Sequence, residues 1–171
     1  MKIIETNDLR GSVHKYGDDI NTDYIIPGKY LMNILDDAKL AQHAMEGVDP
    51  DFYQSVEEGD FVVGGRNFGC GSSREEAPVV LKEAGVGAVL AQSFARIFYR
   101  NAINIGLPIL ECDTTGMEEG DELRVDFEGG EVENLTKGEI IQATSLPQAM
   151  RDIIADGGLV AHIKKHGSFQ I

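Results

Sequence analysis

The chain of 171 residues has no tryptophan, two cysteines, and 15 basic residues against 29 acidic ones. Each shortage excludes something. Cys70 and Cys112 allow one bridge at most, and nothing points to a disulfide framework. A net charge of −14 without a basic stripe argues against a nucleic-acid surface. No apolar run approaches the ~20 residues of a membrane span, so no membrane partner is expected. The opening "MKIIETNDLRGSVHKYGDD" lacks the apolar stretch of a signal peptide, which makes the cytoplasm the expected location. Three motifs are missing as well: a G-x-S-x-G nucleophile elbow, a phosphate loop ending in GK[ST], and a dinucleotide fingerprint. The four histidines, His14, His43, His162 and His166, stand in no readable relation to a nucleophile.

With 42% hydrophobic and 26% charged residues, the composition is that of a globular protein. Strand-like runs occur at "GSVHKYG", "FVVGG", "VGAVLA" and "LPILEC". Helical patterns alternate with them. "DDAKLAQHAMEG" places Leu40, Ala41, Ala44 and Met45 on one side and stops at Gly47. Ala77, Val80, Leu81 and Ala84 follow the i, i+3, i+4, i+7 pattern and end at Gly85. "SFARIFYRNAINIG" is expected to turn Phe94, Ile97 and Phe98 inward. "DELRVDF" and "EVENL" read as strands around Gly129–Gly130, and a last helix runs from near Pro147 to Gly157–Gly158. The alternation from residue 60 to 112 argues for α/β layering in a single domain spanning 1–171.

One loop stands apart: "GGRNFGCGSSREEAP", Gly64 to Pro78. Its four glycines are expected to adopt positive φ and bring the backbone close to a ligand. A helix is expected to begin at Ser73 to Glu75, with Pro78 tolerated in its first turn. Free N–H groups there favour negative charge. Arg74 can hold a carboxylate through two parallel hydrogen bonds, and a serine oxygen among amide dipoles can carry transient negative charge. A plainer reading stands beside this one, since Ser72 with Glu75, or Ser73 with Glu76, matches the S-x-x-E capping box.

Three segments, "GDDINTDYIIPGKYL", "GRNFGCGSSREEAP" and "SFARIFYRNAINIGLPIL", resemble the swivelling domain of the aconitase superfamily, in particular the free-standing small subunits of 3-isopropylmalate dehydratase. They occur in that family's order and cover much of residues 14 to 112. The resemblance implies a mixed three-layer β/β/α swivelling domain. It implies Ser72 as the catalytic base, Ser73 and Arg74 as carboxylate ligands, and Asp23 lining the cleft or orienting a partner group. It also implies a [4Fe–4S] cluster acting on the leaving hydroxyl and held by three cysteines. Two cysteines, 42 positions apart, cannot hold one, so no cofactor is expected on this chain and a large iron–sulfur subunit is its expected partner. Alone, the chain is expected to be inactive.

In the family, the loop "YLMN", Tyr30, Leu31, Met32 and Asn33, reaches toward the variable group of a 2-hydroxy dicarboxylate. Related homoaconitase small subunits carry an arginine where Met32 stands. A thioether gives no ionic partner to a buried carboxylate but packs well on an alkyl group. Isopropylmalate, in leucine biosynthesis, is the substrate this favours. A hydrophobic pocket separates substituents by only about 1–3 kcal/mol per methylene, which leaves dimethylmalate, citramalate and homoaconitate as alternatives. A non-catalytic carboxylate-binding module and an interaction protein with an ordinary helix entry are the rival classes.

Overall fold

The apolar and the alternating runs form two halves of one sheet. The computed structural model describes residues 8–167. In chain order these are β1 (Leu9–Lys15), the one-turn helices α1 (Thr22–Ile25), α2 (Gly28–Leu31), α3 (Asp37–Leu40) and α4 (Phe52–Ser55), then β2 (Phe61–Val63), α5 (Glu76–Glu83), β3 (Ala88–Ala91), α6 (Arg96–Ile105) and β4 (Ile109–Glu111). β5 (Glu122–Asp126), β6 (Glu131–Asn134), β7 (Glu139–Gln142), α7 (Gln148–Ala155) and α8 (Leu159–His166) complete the chain.

The strand order is β4-β3-β2-β1-β5-β6-β7, with β1 in the middle. On one side β1, β2, β3 and β4 run parallel, Val13 opposite Phe61, Phe61 opposite Ala88 and Val89 opposite Ile109. β2 and β3 are buried at every position, as parallel strands covered on both faces must be. On the other side β1, β5, β6 and β7 are antiparallel. In β5, Leu123 and Val125 point inward while Glu122 and Arg124 meet solvent, the alternation of a half-buried sheet. The sheet curls until its ends meet. Cys112 forms a bridge to Ala143, and the Thr144 N–H donates to the Glu111 carbonyl at 3.0 Å. Fully buried Phe52, Phe61, Phe68, Phe98 and Phe127 fill the core.

Several elements differ from expectation. The helix expected at "DDAKLAQHAMEG" shrinks to α3 and a single 3-10 turn, Ala41–His43. Ala44 is extended and Met45 has φ +60° because the Met45 N–H reaches the Ile25 carbonyl at 2.7 Å. All four apolar residues of that segment are still buried, so the expected burial holds although the expected helix does not form. α5 starts at Glu76, later than expected, and Pro78 does fall in its first turn. No side chain caps α5, so neither capping box forms. Phe98 is buried, Phe94 lies half-buried before α6 begins, and Ile97 is 45% exposed. α6 puts Phe98, Ala102 and Ile103 into the core, which turns Ile97 to the opposite side. β7 and α8 were not foreseen. Gly157–Gly158 ends α7 as expected, but Gly158 also begins α8.

Candidate active site

In open α/β sheets, ligands settle at the carboxyl ends of parallel strands. The loops leaving β1 and β2 at those ends lie side by side. Asn21 pairs with Cys70, the Thr22 N–H donates to the Cys70 carbonyl at 2.9 Å, and the Gly69 N–H donates to the Ile20 carbonyl at 2.7 Å. The buried Thr22 hydroxyl then donates to the Ser72 carbonyl at 2.8 Å, fixing the loop where the serine stands.

Gly69 and Gly71 have φ of +82° and +94°, as the loop chemistry predicts. Gly69 also has no room for a side chain, since a Cβ there would lie 2.2 Å from Phe98 Cγ. Gly64 and Gly65 depart from expectation, with no positive φ. They are small because a Cβ would strike Phe68 at 2.5 Å and Asp18 Oδ1 at 2.0 Å. The ring of Phe68 sits edge-on to that of Phe98 at 5.3 Å, which ties the glycine loop to α6.

Between the loop and α6 lies a cavity of about 200 Å³ lined by Thr22, Ser72, Arg74, Arg96, Ile97 and Asn101, among others. Two arginines therefore line one cavity of a strongly acidic chain. α6 begins without a side-chain cap, and its first-turn residues line the wall. The helix terminus at this cavity is thus that of α6, whereas the sequence pointed to α5. The positive end of a helix and two arginines make the cavity suited to an anion.

Arg74 is held in place. Its Nη1 donates to Asp23 Oδ1 at 2.7 Å and to the Ile26 carbonyl at 2.9 Å. Both hydrogen bonds use Nη1, leaving the Nε–Nη2 edge for a bidentate carboxylate. Asp23 Oδ1 also accepts the Gly28 N–H at 3.1 Å. The Arg74 hydrogen bond, and then the Gly28 N–H, hold the Asp23 carboxyl below the usual carboxylate range.

The remaining residues singled out in the sequence lie off this cavity. Ser73 is exposed on the loop. Tyr30 stacks on His43 with ring centroids 3.8 Å apart and donates its hydroxyl to Glu46 at 2.6 Å. Leu31 packs against the core, and Asn33 donates to the Lys29 carbonyl at 3.1 Å. Met32 stands 89% exposed and nearby Leu35 92% exposed. Arg96, Ile97 and Asn101 were missed as cavity residues. The apolar pattern of their segment points to the core and carries no sign of the cavity.

The model of the aconitase C-terminal domain family matches residues 16–114. A 3-isopropylmalate dehydratase small subunit from Archaeoglobus fulgidus is 54% identical over 161 residues, covering 94% of this chain and 98% of the relative. The chain belongs to the 3-isopropylmalate dehydratase small-subunit family. An isopropylmalate/citramalate isomerase small subunit from Methanocaldococcus jannaschii is 52% identical over 159 residues, covering 92% of this chain and 94% of the relative. A crystal structure of a 3-isopropylmalate dehydratase from the same organism matches with a TM-score of 0.90 at 45% identity, covering 94% of this chain and 95% of that one. The fold is the α/β swivelling domain of the aconitase superfamily. A small subunit implies a larger partner. Among the described residues no helix is long and apolar enough to cross a membrane.

Proposed function

We propose that this chain is the small subunit of a two-subunit hydro-lyase that interconverts 2- and 3-isopropylmalate in leucine biosynthesis. The observation that carries the chemistry is Ser72 and Arg74 on one cavity wall, with Arg74 pinned by Asp23. The free edge of Arg74 receives the carboxylate. That places an adjacent C–H near Ser72, whose oxygen takes the proton as base. The C–H electrons form the double bond, and the hydroxyl on the neighbouring carbon leaves with its bonding pair. That hydroxide together with the proton taken by Ser72 makes up the water released. Return of water with the opposite regiochemistry gives the isomer. A serine hydroxyl is too weak an acid to serve as a base in water, and the guanidinium and the helix terminus beside it lower the free energy of its ionised form.

The leaving hydroxyl needs an electrophile, and in this reading a [4Fe–4S] cluster on the large subunit supplies it. The residues of this chain do not fit such a cluster. It has two thiols, and burial pushes Cys112 up to about 12. Cys70 is also raised, by burial and then by Asp19. Neither presents a ready thiolate.

The substrate assignment rests on Met32, an exposed apolar side chain in the loop that reaches the variable group in this family. Citramalate is the main competitor, because one relative's name includes it. The experiment is anaerobic reconstitution with the candidate large subunit, followed by turnover of 2- and 3-isopropylmalate beside citramalate, dimethylmalate and homoaconitate. Isomerisation of isopropylmalate by the pair and none by either subunit alone supports the proposal. Turnover of another acid in its place overturns the substrate, and turnover by this chain alone overturns the two-subunit reading.

A further inference from the structure

We propose that Asn101 is a further substrate-binding residue of this cleft, its side-chain amide donating to a carboxylate oxygen of the bound acid. The inference rests on the hydroxy-acid reading above. Asn101 lies on α6 one turn beyond Ile97, so the two side chains share a stripe, and both line the cavity that holds Ser72 and Arg74. Its Nδ2 is buried and has no hydrogen-bond partner, the one such side-chain atom among the described residues. Buried polar groups are otherwise satisfied almost without exception, and an orphaned N–H is destabilising. An alanine or leucine at this helix position would remove that penalty. The fold thus carries a donor whose acceptor is not part of the chain. With Arg74 and Arg96 on the same cavity, the acceptor that fits is an anionic oxygen.

The test compares wild type, Asn101→Ala and Asn101→Asp in the reconstituted two-subunit enzyme, reading KM, kcat, subunit affinity and melting temperature. Titration calorimetry of 2-isopropylmalate and of citramalate into each assembled complex gives a readout independent of turnover. The alanine variant is expected to raise KM and the calorimetric Kd by roughly 10- to 100-fold. Its kcat and subunit affinity should stay near wild type, and its melting temperature should be unchanged or higher. The aspartate variant should lose more, since it sets an anion against an anion. A KM and Kd within twofold of wild type overturns the proposal. Weakened subunit affinity with unchanged Kd also overturns it, by assigning the acceptor to the large subunit. If the wild-type complex binds citramalate and not isopropylmalate, the substrate assignment falls while Asn101 is still tested on citramalate. If it binds neither acid, both fall.

Discussion

Asp23 and Arg74, 51 positions apart, are joined by a 2.7 Å hydrogen bond from Nη1 to Oδ1 that couples the loop after β1 to the loop after β2. Asp23 is largely exposed and Arg74 largely covered. The pair therefore works less as a source of stability than as a means of aiming the guanidinium, since exposed ion pairs contribute about 0.2–1 kcal/mol.

Substitutions at the two ends should differ in size. Asp23→Asn keeps the shape and weakens the anchor, so KM should rise by only about two- to fivefold. Arg74→Lys removes the bidentate edge and should raise KM by about tenfold or more. Steady-state kinetics of the reconstituted enzyme decide the order. Equal effects would mean that the aim of Arg74 matters as much as its fork.

Ser72→Ala separates catalysis from structure. The Ser72 side chain caps no helix, because α5 begins four residues later without a side-chain cap. Turnover should fall by about 10²–10⁴-fold, while the melting temperature and subunit affinity stay at wild-type values. Loss of stability by ~0.5–2 kcal/mol with turnover intact would make Ser72 a cap after all.

Met32→Arg tests the loop. At 89% exposure the side chain packs on little, so the substitution should leave stability within about 0.5 kcal/mol of wild type. The ratio of kcat/KM for homoaconitate over isopropylmalate should rise. An unchanged ratio removes Met32 from specificity.

Part of the glycine loop is legible in residue order because its determinants are local. Positive φ at Gly69 and Gly71 and Pro78 in a first turn both follow from short-range chemistry. What was not legible depends on distant partners. The Ile25 carbonyl draws the Met45 N–H out of its expected helix. Ile97 follows the apolar pattern of a core residue, yet the register of α6 against Phe68 turns it to the cavity. Asn101 gives no local signal at all, since an unpaired amide is visible only once its surroundings are known. α8 was hidden by a glycine pair that ends one helix and starts the next.

The turn between α7 and α8 carries the last prediction, on acid stability. Asp156 accepts from Lys165 at 2.7 Å, lies 2.7 Å from His162 Nδ1 and lies 2.9 Å from His166 Nε2. The Lys165 hydrogen bond first, then that of His162, hold its carboxyl far below the usual range. A carboxyl depressed on folding contributes stability that is complete above its unfolded pKa, near 3.9. That contribution is lost as pH falls from there toward the folded value. Asp156→Asn should therefore be less stable than wild type at pH 6, and the gap should narrow steadily between about pH 5 and pH 2. Urea unfolding of both proteins across that range is the measurement. A gap that stays constant with pH would show that the carboxylate charge contributes nothing and that the hydrogen bonds alone hold the turn.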